Sequence, residues 1–408
     1  MIKKALEILS NFTKEIPEAY HGPDRTNHIL DKSGELSLEN REILLKFFNH
    51  ILSVMIDRGA SDIEIGGPGA GNYIWFRIQG IKRRVEDLPN LKIDEASLFI
   101  SAILNDNQRR HLSVNRNLDF SYTFNYEKNN TNVRFRADAY FDLDAITLNM
   151  RAISSTLRAI TGYQFHPYAL QAMNHKYIKF GLSLVTGITG SGKSTTLDAV
   201  IDYHNQSNPC QIIIIAAPIE YVHRSKESII KHREVGRDVL SFKEGVVQAL
   251  RQDPDIIIIG EMRDPDTILA TLEVADTGHK VFSTLHTSSA IESIDRIIAE
   301  VNPVEQERVR MRLADVLVSV VSQKLVPGID GKFVLAKEVL VVTQSVKAAI
   351  KNNNTSEIYL MMNQGGQQGM MTMEQDLMRL YKERKISKEN VIAFANNKNR
   401  IRQLLKAV

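Results

Sequence analysis

Gly187-Ile-Thr-Gly-Ser-Gly-Lys-Ser194 has the spacing G-x-x-x-x-G-K-S, that of a loop which wraps the phosphates of a nucleotide. Its flanks agree. Gly181-Leu-Ser-Leu-Val-Thr186 before it is a short apolar run suited to a buried strand. Thr195-Thr-Leu-Asp-Ala-Val-Ile-Asp-Tyr203 after it carries apolar residues at helical spacing. Glycines let the backbone N–H groups turn inward on an anion, and the N-terminus of the following helix adds a positive field. A loop of this kind would hold a nucleoside triphosphate through Gly187, Thr189, Gly190, Ser191, Gly192, Lys193, Ser194 and Thr195. Lys193 would reach the β- and γ-phosphates, and the Ser194 hydroxyl would ligate Mg²⁺.

Downstream, strands and helices alternate, the sign of a parallel α/β sheet. Strands are expected at 182–186, 211–216, 256–259 and 281–285. Ligands of such sheets bind beyond the carboxyl ends of the strands. The second strand, Ile212-Ile-Ile-Ile-Ala-Ala-Pro-Ile-Glu220, delivers Glu220 there. The third, Ile256-Ile-Ile-Ile-Gly-Glu261, delivers Glu261, and the fourth, Ser283-Thr-Leu-His286, delivers His286. Triphosphate hydrolysis needs a cationic clamp, an acid for Mg²⁺ and a group that orients water. Two carboxylates and a histidine beside a phosphate loop can fill those roles. The alternatives are a solvated loop acid for Glu220, a cap paired with Arg263 for Glu261, and a helix-capping histidine for His286. Residues 305–326 read as one long amphipathic helix, with Val309, Leu313, Val316, Leu317, Val320 and Val321 on one face. A further strand is expected at 333–342, followed by a charged helical region broken at Gly365-Gly-Gln-Gln-Gly369.

The first 153 residues read differently. A polar stretch, 1–35, suggests a helix and a loop. Ser37 is a plausible cap for a helix that buries Leu44, Phe47, Phe48, Ile51, Leu52 and Met55 and stops at Gly59. Alternating segments at 62–65, 73–78, 119–124, 133–140 and 146–153 then suggest an antiparallel sheet with helices on one side, the second helix at about 93–105. In two neighbouring strands Val133, Phe135, Ala137 and Ala139 face one way with Ile146, Leu148 and Met150. Arg134, Arg136 and Arg151 face the other. From pattern alone these arginines make a solvated charged face.

Bulk properties narrow the function. A chain of 408 residues suggests two or three domains, and its net charge of +3 gives no electrostatic case for nucleic acid. Cys210 is the sole cysteine, which excludes a disulfide framework and a four-cysteine zinc site. No run reaches the roughly 20 apolar residues that a membrane span requires. A cytoplasmic protein is expected.

Five segments together resemble the secretion-superfamily ATPases, of the PilT-like and DotB/TraJ-like kinds. They are the phosphate loop, Pro218-Ile-Glu-Tyr-Val-His223, Arg233-Glu-Val-Gly236, the stretch from Ala249 to Asp264, and Thr277-Gly-His-Lys-Val-Phe-Ser-Thr-Leu-His-Thr287. The resemblance covers about 35–345. It implies a homohexamer whose subunits pair a PAS-like α+β N-terminal domain with a RecA-like ATPase domain, working at the cytoplasmic face of the inner membrane on a platform protein. It further implies that Glu220 activates water, Glu261 acts on Mg²⁺, His286 senses the γ-phosphate, and Arg136 and Arg151 reach the phosphates. The corresponding division is an extension at 1–35, the PAS-like domain at 36–153, a linker at 154–168, the ATPase domain at 169–345 and a helical region at 346–408. The chain departs from the family pattern in two places. Ala216-Ala217 stand where acids are usual, and Ser345-Val-Lys-Ala-Ala-Ile350 stands for the retraction motif Ala-Ile-Arg-Asn-Leu-Ile. Two other classes share such a core: a nucleic-acid motor, which the charge disfavours, and a nucleotide-binding subunit without turnover, which Ala216-Ala217 would suit.

Overall fold

The computed structural model describes residues 1–128, 130–153 and 157–406, and the chain divides into two compact units, Met1–Ser155 and Thr156–Val408. The first unit runs α1 (Ile2–Lys14), α2 (Gly22–Ser33), α3 (Leu38–Asp57), β1 (Ala60–Gly66), β2 (Trp75–Ile78), β3 (Ile81–Arg84), α4 (Ile93–Ala102), α5 (Asp106–Asn115), β4 (Asn117–Tyr126), β5 (Thr131–Asp142) and β6 (Ala145–Ala152). Its sheet is antiparallel, in the order β3-β2-β1-β6-β5-β4. Alternation sorts the side chains as expected. Phe135, Ala137, Ala139, Leu148 and Met150 are buried with Phe47, Phe48, Ile51 and Phe99 of the helices. Ser37 caps α3 by accepting from the Asn40 N–H, and Gly59, at φ +62°, ends the turn beyond it.

The 1–35 stretch holds two helices rather than one, and Ala5, Leu9, Ile29 and Leu30 are buried in the same core as the sheet. Gly22-Pro-Asp-Arg-Thr-Asn-His buries so few residues that no apolar period marks α2. The edge strand β3, Ile-Lys-Arg-Arg, was also hidden. Its exposed cations are those of a protected sheet edge, not of an alternating strand.

The second unit runs α6 (Pro167–Met173), β7 (Gly181–Thr186), α7 (Lys193–Ser207), β8 (Gln211–Ala216), β9 (Ile229–Glu234), α8 (Phe242–Ala249), β10 (Ile256–Ile259), α9 (Pro265–Asp276), β11 (Lys280–Leu285), α10 (Ala290–Glu300), α11 (Gln306–Val316), β12 (Leu317–Pro327), β13 (Phe333–Val341), α12 (Gln344–Lys351), α13 (Ile358–Gln364), α14 (Met373–Lys382), α15 (Lys388–Phe394) and α16 (Lys398–Lys406). The sheet order is β13-β12-β7-β11-β10-β8-β9, parallel except for β13 at one edge. Strands covered on both faces must be apolar on both. Ile213, Ile215, Ile257 and Ile259 enter one core layer, while Ile212, Ile214, Ile256 and Ile258 enter the other. Each buried isoleucine contributes about 1.5–3 kcal/mol relative to exposure. Residues 154–156 of the expected linker lie outside the described residues. Further on, Ile160, Tyr163 and Phe165 are buried in the second unit.

The single helix expected at 305–326 is overturned. Helix α11 stops at Val316, and Leu317-Val-Ser-Val-Val-Ser-Gln continues as strand β12 between β7 and β13. The apolar spacing fits either structure, but this half of the run is rich in valine. It also satisfies its backbone groups on two neighbouring strands at once, a tertiary gain that outweighs helical periodicity.

Candidate nucleotide site

Four neighbouring strands end at one edge of the second unit's sheet, and the candidate residues sit on those ends. The loop after β7 turns at Gly187, Gly190 and Gly192, with φ of +151°, +80° and +86°. At Gly187 the need is also steric, since a Cβ there would lie 2.3 Å from Ser191 Oγ and 2.6 Å from the Gln323 carbonyl oxygen. Helix α7 starts at Lys193, so its unpaired N–H groups open toward the loop.

Stitching between strand ends sets the acid and the histidine side by side. Thr284 Oγ1 donates to the Gly260 oxygen at 2.6 Å, and the Met262 N–H donates to the Thr284 oxygen. Glu261 thereby lies next to His286: Nε2 of His286 is 3.5 Å from Oε2 of Glu261, and Arg263 Nε is 2.6 Å from the same oxygen. Lys193 Nζ donates to the Gly187 and Ile188 oxygens at 2.8 and 3.2 Å and stands 3.5 Å from His286 Nδ1. An ammonium can only donate, so Nδ1 accepts and the imidazole proton sits on Nε2, facing Glu261. Burial, then the Lys193 charge, lowers the His286 pKa from its usual value. Burial also lowers that of Lys193, against the opposing fields of Glu261 and Glu220. Glu220 is exposed just past the end of β8. The structure therefore brings Lys193, Glu220, Glu261 and His286 into one electrostatic neighbourhood. The pairing with Arg263 exists too, without removing Glu261 from that group.

Arg136 and Arg151 are directly opposed across β5 and β6 in the first unit. Arg151 Nε donates to Asp62 at 2.8 Å, Arg136 Nε lies 3.5 Å from Asp119, and the two side chains stay 70% and 46% exposed. In the second unit, Arg233 donates to the Gln248 side chain and the Asp238 oxygen, and His279 contacts Thr277 at a turn.

Two contributions had no local signal in the sequence. Gln323 of β12 donates through Nε2 to the Ser191 oxygen at 2.7 Å and accepts at Oε1 from Thr196 Oγ1 at 2.9 Å. His223 and Asp198 pair at 3.0 Å between the segment that bears Glu220 and helix α7. For a metal, Ser194 and Glu261 offer hard oxygen donors of the kind Mg²⁺ takes. The buried Ser191 hydroxyl, without a hydrogen-bond partner among the described residues, fits an oxyanion bound in the loop.

The chain belongs to the family of type II/IV secretion system proteins, whose model matches residues 37–406. Within that family it is similar to the twitching motility protein of Neisseria gonorrhoeae, 38% identical over 324 residues, 79% of this chain and 84% of the relative. It is also similar to the type IV pilus retraction ATPase PilT of Pseudomonas aeruginosa, 37% identical over 340 residues, 83% and 95% of the two chains. The crystal structure of the pilus retraction motor PilT with bound ADP superposes with a TM-score of 0.76 at 36% identity, covering 86% of this chain and 98% of that one. The DotB ATPase of Legionella pneumophila superposes with a TM-score of 0.66 at 25% identity, covering 89% and 96%. The expected two-part α/β architecture is thus that of the family. No helix among the described residues is long and apolar enough to cross a membrane.

Proposed function

We propose that this protein is a Mg²⁺-dependent ATPase motor that powers type IV pilus dynamics, as the PilT relatives do. The observation that carries this is the contact chain from Lys193 through His286 to Glu261 beside a glycine loop. Hydrolysis joins a water oxygen to the γ-phosphorus and breaks its bond to the β–γ bridging oxygen. Lys193 moves from its own loop carbonyls onto the phosphates. Glu220, the exposed carboxylate of the group, orients the water and accepts its proton. His286 contacts the γ-phosphate as Lys193 turns away from it. Ser194 and Glu261 hold Mg²⁺, which when bound neutralises phosphate charge. Arg136 and Arg151 supply cations to the phosphates of a homohexamer, which works at the cytoplasmic face of the inner membrane against a platform protein.

The decisive assay compares ATP hydrolysis by the wild type, Lys193→Ala and Glu220→Gln. Lys193→Ala should fail to bind nucleotide, and Glu220→Gln should bind it but turn over about 100-fold or more slowly. Equal hydrolysis by all three sinks the site assignment. Mass measurement with a non-hydrolysable ATP analogue tests the hexamer. One feature favours a second reading, a secretion ATPase of the DotB kind: Ser345-Val-Lys-Ala-Ala-Ile350, which forms helix α12, lacks the arginine and asparagine of the retraction motif. Restoring twitching in a Pseudomonas aeruginosa strain without its retraction ATPase separates the two.

A further inference from the structure

We infer that Gln323 is a positioning residue which holds the phosphate loop in its anion-binding form; this rests on the proposal that the loop binds nucleotide. Strand β12 lies parallel to β7, with Ser322 opposite Thr186, the last residue before the loop. Gln323 therefore stands level with the loop itself, and it is 1% exposed. Its amide is used at both ends. Nε2 donates to the Ser191 oxygen, and Oε1 accepts from Thr196 Oγ1 in the first turn of α7. Its backbone oxygen limits the space beside Gly187, and Nε2 would lie 3.3 Å from a Cβ at Gly192. One residue of a neighbouring strand thus touches the start, the end and the exit of the loop.

The consequence follows from peptide geometry. In a trans peptide the C=O and N–H lie in one plane and point in opposite directions. Gln323 holds the Ser191 carbonyl outward, so the N–H of Gly192 in the same peptide points inward, where a phosphate would lie. Gly192 adopts φ +86°, and with no Cβ it takes positive and negative φ about equally readily. Without the Gln323 contact this peptide can flip and present its oxygen to the anion. Gln323 therefore selects the binding conformation and needs no contact with the nucleotide.

Gln323→Met keeps the volume and removes both hydrogen bonds. Its Kd for ADP and KM for ATP should rise about tenfold, with kcat changed much less. Gln323→Glu offers a test of donor direction. Only its protonated carboxyl can donate to the Ser191 oxygen, so relative to wild type its ADP affinity should recover as pH falls from about 8 to about 5.5. A purely structural role would lower the melting temperature of both variants and leave the Kd and KM of the folded protein at wild-type values, which overturns the inference. Lys193→Ala serves as the control. If it binds ADP like wild type, the nucleotide site itself is misplaced. If it loses binding while the Gln323 variants keep theirs, only the role of Gln323 fails.

Discussion

His223 Nε2 lies 3.0 Å from Asp198 Oδ1, which ties the segment bearing Glu220 to the helix that begins at Lys193. Glu220 is three residues before the histidine, and Lys193 five before the aspartate. The His223 side chain is 1% exposed, and the His223 backbone N–H donates to His232 Nε2 on β9. Burial raises the Asp198 pKa, with the histidine opposing that shift. The pair therefore sets the distance between the proposed water-orienting acid and the phosphate clamp. Asp198→Ala should lower kcat for ATP at least about tenfold with KM little changed, because small misplacements of a catalytic group are costly. Asp198→Asn keeps an acceptor and should recover most of the rate. Steady-state kinetics decide it, and an unaltered kcat in Asp198→Ala defeats the idea.

Much of this site was legible because parallel strands announce themselves. Each is an apolar run buried on both faces, and topology brings their carboxyl ends together whatever lies between. Glu220, Glu261 and His286 could be picked from strand ends alone. Gln323 could not, since Val309 to Val321 keep a helical period straight through the point where the chain becomes β12. The Asp198–His223 pair was hidden for another reason. A buried contact between residues 25 apart in sequence leaves no periodic trace. In the first unit, α2 leaves no helical period because its first turns, 22–28, are polar with only Thr26 buried, and β3 leaves no alternation because all four of its residues are exposed.

Two buried groups of the second unit should give its stability opposing pH slopes. Glu338 accepts from the Ala290 N–H at the start of α10, near Glu374 and Lys324; burial above all pushes its pKa up from 4.5 to about 7. His204 accepts from the His175 N–H at Nε2, with Nδ1 against the Val200 oxygen; burial pushes it down from 6.5 to about 4. Folded Glu338 keeps a proton that the unfolded chain releases, so its contribution is full below pH 4.5 and is lost as pH rises to about 7. Folded His204 refuses a proton that the unfolded chain takes, so its contribution is full above pH 6.5 and is lost as pH falls to about 4. Each slope approaches roughly 1.4 kcal/mol per pH unit. Glu338→Gln should therefore leave a melting temperature that climbs from pH 4.5 to 6.5 more steeply than that of wild type. Identical curves for the two proteins would contradict the assignment.

Lys280 is a buried cation that the proposed chemistry does not use. Its Nζ donates to the Ala172 oxygen at 2.7 Å above the Phe282 ring, and burial pushes its pKa down to about 7. The depressed value means the unfolded chain holds the proton more tightly. Its contribution to stability is full above pH 10.5 and is lost as pH falls through about 7. Lys280→Met fills the same space without that charge, at a cost of about 1 kcal/mol for the lost hydrogen bond. The variant should melt higher than wild type at pH 7, and the gap should narrow toward pH 10. Calorimetry showing a lower melting point at pH 7 would mean that the Ala172 contact outweighs the cost of burying the amine.

The Lys193–His286 contact makes a prediction about protonation. With Nδ1 accepting from an ammonium, the His286 ring cannot take a second proton without facing that cation directly. Burial is the larger cause of its lowered pKa and Lys193 the next, while Glu261 pulls the other way. Lys193→Ala should therefore raise the His286 pKa in nucleotide-free protein, and ATP, by drawing Lys193 onto phosphate, should raise it in the wild type as well. Glu261→Gln removes the opposing field and should lower it further. Nitrogen-15 resonances of the labelled imidazole read both the pKa and the tautomer. Wild type without nucleotide should show the neutral ring protonated on Nε2 at pH 7. A ring protonated on Nδ1, or a pKa that Lys193→Ala leaves in place, would mean that the lysine does not govern this histidine. The γ-phosphate would then need another route to it.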